Sequence, residues 1–72
     1  MPGPVKRSVT LAGHRTSVSL EPVFWRLLEE QAGRDGVSVN QYILAIDEDR
    51  DSNLSSAIRT HLVEQLLAQK NS

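Results

Sequence analysis

The sequence predicts a mainly α fold with one N-terminal β-strand, paired antiparallel with the same strand of a second chain. Three observations carry that expectation. Residues 15–20, Arg-Thr-Ser-Val-Ser-Leu, alternate small or apolar residues with polar ones, the two-residue period of a half-buried strand. After Glu21-Pro22 the apolar residues fall at helical spacing instead. The third observation is size. A chain of 72 residues without Cys buries a modest core and has no disulfides to reinforce it, which leaves oligomerisation as the route to stability. His14 and His61 lie far apart without ligand-like spacing, so no metal is expected.

The chain begins Met-Pro-Gly-Pro, and residues 1–5 are expected to be an unstructured start to a single domain over 6–66. Residues 1–20 hold Lys6, Arg7 and Arg15 and no acid, whereas residues 21–72 hold five basic and nine acidic residues. The net charge of −1 thus hides a positive N-terminal segment suited to a polyanion, with acidity elsewhere. In Lys6–Leu11, Arg7, Val9 and Leu11 share one side. In Arg15–Leu20 the corresponding set is Thr16, Val18 and Leu20, on even positions. The parity switches across Ala12-Gly13-His14, so one unbroken strand cannot keep both sets on one face. A bulge or a turn at Gly13 resolves this; residues 6–11 then either fold back beside the strand at about residues 14–20 or trail as a basic arm.

Pro22 suits the first position of a helix, where its missing N–H has no partner to lose. Phe24, Leu27, Leu28 and Ala32 form a stripe at helical spacing. Trp25 lies off it and is expected to cover a second surface, such as a neighbouring helix. Gly33 and Gly36 supply the stop, giving a first helix over about residues 22–33. Ser38 and Gln41 form a capping-box pattern, with Val37 and Tyr42 as a hydrophobic staple, opening a second helix over about residues 39–48 that carries Ile43 and Ile46 inward. Asp47–Asp51 interrupts the apolar stripe and reads as a solvated turn. Leu54, Ala57, Ile58, His61, Leu62, Gln65 and Leu66 then line one face of a third helix, over about residues 53–68, with Ser52 or Asn53 as its cap. His61 lies within that stripe and is expected to be packed and hydrogen-bonded. Residues 67–72 are expected to fray.

No enzyme is expected. The Ser residues lack a nucleophile-elbow context, His61 is isolated, the acids at 47–51 do not form a catalytic pair, and there is no Gly-rich phosphate loop. No apolar run reaches membrane-spanning length and residues 1–10 lack the apolar core of a signal peptide. The expectation is a soluble, cytoplasmic protein, associated with the nucleoid when bound to DNA, with no membrane partner and no cofactor.

A lone strand leaves backbone groups unpaired on both edges, and the same strand from a second chain satisfies one of them across a two-fold axis. Thr16, Val18 and Leu20 from both chains then face the helices. Arg15, Ser17 and Ser19 face outward as a two-stranded surface of a size that fits the major groove of DNA, where Arg bonds guanine and Ser bonds several base edges. The N-terminus of the second helix, at Ser38, offers free N–H groups and a positive dipole end to a phosphate, and Ser38 and Asn40 can add side-chain contacts.

Residues 15–43, RTSVSLEPVFWRLLEEQAGRDGVSVNQYI, resemble the ribbon-helix-helix family of dimeric DNA-binding proteins, the class that includes Arc- and MetJ-like repressors. The match lies in the strand Arg15–Leu20, the stripe Phe24/Leu28/Ala32, and Gly36-Val37-Ser38 before Asn40 and Ile43. KRSVTLAGHRTSVSLE with NLSSAIRTHL looks most like a bacterial subgroup of short members. The resemblance implies an intertwined homodimer with an intermolecular two-stranded ribbon, here with an extra C-terminal helix. It implies that Arg15, Ser17 and Ser19 read bases and that the backbone around Ser38, Val39 and Asn40 anchors a phosphate. Lys6, Arg7 and His14 have no counterpart in the family core and are expected on phosphates by charge alone. The expected dimer core is Thr16, Val18, Leu20, Phe24, Leu28, Ile43, Ile46, Ile58 and Leu62.

Two features depart from the family pattern. Asp47–Asp51 breaks the second helix, and Ser55–Leu62 resembles its usual ending displaced into a separate helix. Ser17 and Ser19 are short readers, so specificity rests on Arg15 and on DNA shape. The function expected is sequence-specific DNA binding as a dimeric transcriptional repressor. The alternatives are an antitoxin whose C-terminal helix binds a toxin, and a dimeric interaction module that does not bind DNA.

Overall fold

The computed structural model describes residues 3–48 and 53–70 of the chain. Two strands, β1 (Val5–Leu11) and β2 (His14–Leu20), precede three helices, α1 (Pro22–Asp35), α2 (Val39–Glu48) and α3 (Leu54–Lys70). The first strand begins inside the segment read as an unstructured start.

The pairing corrects the expectation of a single N-terminal strand, since residues 5–11 form a second one. β1 and β2 form an antiparallel hairpin within one chain, with Lys6 opposite Ser19, Ser8 opposite Ser17 and Thr10 opposite Arg15. Ala12 and Gly13 make the turn, with φ of 51° and 81°. Positive φ at both central residues belongs to the primed two-residue turn, whose twist matches that of the flanking strands. The parity switch follows directly. Cross-strand partners share a face, and every partner pair joins an odd to an even position, so Val9 and Leu11 lie on the same face as Val18 and Leu20.

That face is covered along a diagonal. Val9 and Leu11 are buried near the turn on β1, and Val18 and Leu20 are buried at the far end of β2. α2 packs against β1, while α1 and α3 pack against β2. Thr16, expected in the core, has the inward parity but is exposed, because it lies on the uncovered diagonal.

Pro22 opens α1 after Glu21, whose carbonyl accepts from the N–H groups of Phe24 and Trp25. The helix continues through Gly33, contrary to the expected stop there. It ends at Gly36, in the left-handed region with φ 70°. Gly36 N–H donates to Gly33 O and Val37 N–H to Ala32 O, the paired bonds that close a Schellman motif. α2 opens with the capping box read from sequence: Ser38 N–H donates to Gln41 Oε1 at 2.8 Å and Gln41 N–H to Ser38 Oγ at 3.1 Å. Asn53 caps α3, its Oδ1 accepting from Ser56 N–H at 2.8 Å. The acidic run begins on the last turn of α2 with Asp47 and Glu48; residues 49–52 lie outside the described residues.

The core closes within the chain. Leu20, Leu28, Ile43, Ile58 and Leu62 are fully buried, joined by Val18, Trp25, Ala32, Tyr42 and Ile46, with Phe24 half-buried against them. Most of the residues expected at a shared dimer core are thus covered by their own chain, packed between the hairpin and the three helices. Trp25 covers β1 instead of a neighbouring helix: its indole N–H donates to the carbonyl of Val5 at 2.9 Å. Tyr42 of α2 and His61 of α3 meet edge-to-face with 2.9 Å between the hydroxyl and Nε2. Among the described residues, no helix is long and apolar enough to cross a membrane.

Candidate nucleic-acid interface

A two-stranded ribbon with only one face covered must present the other to solvent. On β2 that face carries Arg15, Ser17 and Ser19, all exposed. Across from them on β1 stand Thr10, Ser8 and Lys6, also exposed. The six form a polar surface with two cations and no acid. Ser8 and Thr10 were missed from sequence. The signal that could have found them was the parity switch across the turn, which places even positions of β1 beside odd positions of β2.

The other basic residues of this segment do not join that face. Arg7 has the parity of the core-facing residues and turns toward α1. Its guanidinium carbon lies 4.6 Å from the Trp25 ring centroid, and Nη1 lies 3.3 Å from Glu29 Oε1. In this arrangement the Arg7 side chain lies over the face of the Trp25 ring and beside Glu29 instead of standing on the Arg15 face. His14 pairs with Leu11 at the turn and is exposed, but its parity also points away from the Arg15 face.

The N-terminus of α2 is a separate element, following the α1–α2 connection in the chain. The capping box engages the N–H groups of Ser38 and Gln41. Val39 and Asn40, the first two residues of α2, have N–H groups without an intrahelical acceptor. Of the three residues expected at a phosphate, these two keep their backbone donors for an external acceptor, whereas the N–H of Ser38 is spent on the cap.

One ion pair braces the fold beneath the ribbon. Arg59 of α3 reaches Glu21, between β2 and α1, with Nε 3.0 Å from Oε1 and Nη2 3.4 Å from Oε2. A hydrogen bond from its own backbone N–H, then the bond from Arg59, hold the Glu21 carboxyl below its ordinary 4.5. The pair is partly exposed, so it locates α3 more than it stabilises the fold. Burial pushes the Tyr42 hydroxyl up from its ordinary 10.0, with a smaller contribution from the negative charge of Asp35.

A family model described as the ribbon-helix-helix domain matches residues 4–66. Among solved structures, an uncharacterized protein from Bordetella pertussis Tohama I is 34% identical and superposes with a TM-score of 0.80. The alignment covers 94% of this chain, which spans 59% of the length of that protein. No curated protein matches the sequence.

Proposed function

The chain belongs to the ribbon-helix-helix family, and from that premise we propose that it is a sequence-specific DNA-binding transcriptional regulator, acting as a dimer to repress. Members of the family are typically non-enzymatic proteins that bind DNA as dimers. The observation that carries the reading is the exposed, acid-free outer face of the ribbon, with Arg15, Ser17 and Ser19 on β2. A two-stranded ribbon fits the major groove, and Arg there bonds guanine through two donors. The positive dipole end of α2, with the N–H groups of Val39 and Asn40, takes a flanking phosphate.

Selection of bound duplexes from a random pool, with the oligomeric state measured alongside, tests this. A symmetric or tandem site is expected, with affinity falling steeply as salt rises because phosphate contacts release counterions. Arg15→Ala is expected to weaken binding to the selected site by about 1–3 kcal/mol. Unchanged affinity in that variant would remove the ribbon from the reading.

An antitoxin is the second reading, favoured by the apolar residues left exposed on the C-terminal half of α3: Val63, Leu66 and Leu67. The first half of that helix is structural, since Ile58 and Leu62 are fully buried. Leu67→Glu separates the readings. Loss of self-association assigns the patch to a second copy and removes the antitoxin reading, whereas an intact dimer takes the patch out of self-association and leaves it free for a toxin.

A further inference from the structure

The hairpin contains a short internal repeat that becomes visible once its register is known. Ser8-Val9-Thr10-Leu11 on β1 recurs nine residues later as Ser17-Val18-Ser19-Leu20 on β2. The same shift carries Lys6 onto Arg15. Both strands show one burial order, four exposed residues followed by buried, exposed, buried. The register obeys the same symmetry. Exchanging the strands turns the pair Lys6–Ser19 into Arg15–Thr10 and returns Ser8–Ser17 to itself. The hairpin therefore has a pseudo-two-fold axis between Ser8 and Ser17, and each strand presents cation, Ser, hydroxyl in the same order on the outer face.

Burial explains half of this repeat. The core requires Val and Leu at the inward positions of both strands. It places no demand on the outward positions, yet these repeat too: Lys6, Ser8 and Thr10 duplicate Arg15, Ser17 and Ser19 in chemistry and in spacing. Arg7, the one β1 cation that departs from the pattern, is turned inward onto Trp25 and Glu29.

We infer that β1 is a second base-reading strand, so that Lys6, Ser8 and Thr10 enter the major groove together with Arg15, Ser17 and Ser19. One hairpin then offers DNA the two-fold arrangement otherwise assembled from two chains. This extends the proposed function and rests on it. Lys6 moves from a phosphate contact to a groove contact. The two cations stand at opposite corners of the face, four residues apart along the strands, or ~13 Å at the usual strand rise. At 3.4 Å per base pair this spans about four base pairs, centred on the Ser8–Ser17 pair.

The test compares full-length parent, Lys6→Ala, Ser8→Ala and Arg15→Ala in selections from a random duplex pool, each with its affinity for the parent site. These side chains are exposed, and thermal melting confirms that each variant keeps the fold. The parent is expected to enrich a short inverted repeat. Arg15→Ala relaxes preference at one arm, Lys6→Ala relaxes it at the other arm about four base pairs away, and each loses roughly 5- to 150-fold in affinity for that site. Ser8→Ala relaxes the central step. If Lys6→Ala weakens all sequences uniformly and only lowers the salt dependence, Lys6 is a phosphate contact and the second reading strand is overturned while DNA binding stands. A parent that enriches no sequence and binds random DNA negligibly at low salt overturns the proposed function and this inference with it.

Discussion

Trp25 donates its indole N–H to the carbonyl oxygen of Val5, 2.9 Å away, tying the first residue of β1 to the first turns of α1. Arg7, two residues on, lies over the same ring. The root of β1 is therefore held by α1 as well as by β2, and the outer face of the ribbon inherits that rigidity. Trp25→Phe keeps a ring in the core but removes the donor. It is expected to lower stability by about 0.5–1.5 kcal/mol for the lost hydrogen bond, with added loss from the smaller ring, and to speed amide exchange in β1. Urea denaturation and hydrogen exchange measure the two effects, and an unchanged exchange rate in β1 would show that the bond does not hold the strand.

Ala12 adopts a positive φ of 51°, a conformation that costs a residue with a Cβ about 1–2 kcal/mol. Ala12→Gly removes that cost against an entropic penalty of about 0.5–1 kcal/mol, so a small net stabilisation is expected. Ala12→Asn, which tolerates the left-handed region better than Ala, is expected to stabilise as well. Gly13→Ala is expected to destabilise by about 1 kcal/mol, through backbone strain alone, since nothing lies within 4 Å of a Cβ added there. Thermal melts of the three variants give the signs directly.

Glu21 and Arg59 set an acid limb on stability. The carboxyl is held below 4.5 in the folded chain, so the folded state binds its proton less readily than the unfolded state. Its contribution is complete above the unfolded value and disappears as pH falls from 4.5 through the lower folded value. Denaturation midpoints measured across that window should fall with pH in the parent and fall less in Arg59→Ala. Equal slopes in the two proteins would show that the pair does not contribute.

Tyr42 and His61 join α2 to α3 through a hydroxyl–imidazole contact of 2.9 Å. Tyr42→Phe keeps the ring packing and leaves the imidazole without that partner, for an expected loss of about 1 kcal/mol. The raised ionisation of Tyr42 adds a second measurement. Its neutral form is favoured on folding, so its contribution is present below 10 and is lost as pH rises through the higher folded value. Phenolate absorbance should therefore titrate later in the folded chain than in urea.

Much of the fold was legible because it is written in local chemistry. Pro22 at a helix start, the Ser38–Gln41 capping box and the Asn53 cap depend on residues within one turn of each other, and periodicity alone separated strand from helix at Glu21-Pro22. The resemblance carried by residues 15–43 led to the family that the match over residues 4–66 shows. Gly33 misled the reading of α1 because a glycine can sit inside a helix at modest cost, while the stop requires the left-handed geometry found at Gly36.

The sequence by itself determined which residues alternate, which helices start where, and that Arg15, Ser17 and Ser19 share one side of a strand. Tertiary structure decided what stands beside them. Pairing across the Ala12-Gly13 turn reverses the chain, and because the turn holds two residues every pair joins an odd to an even position. That one geometric fact sets β1 beside β2 within the chain, where Trp25 reaches it, takes Arg7 off the outer face, and sets Ser8 across from Ser17.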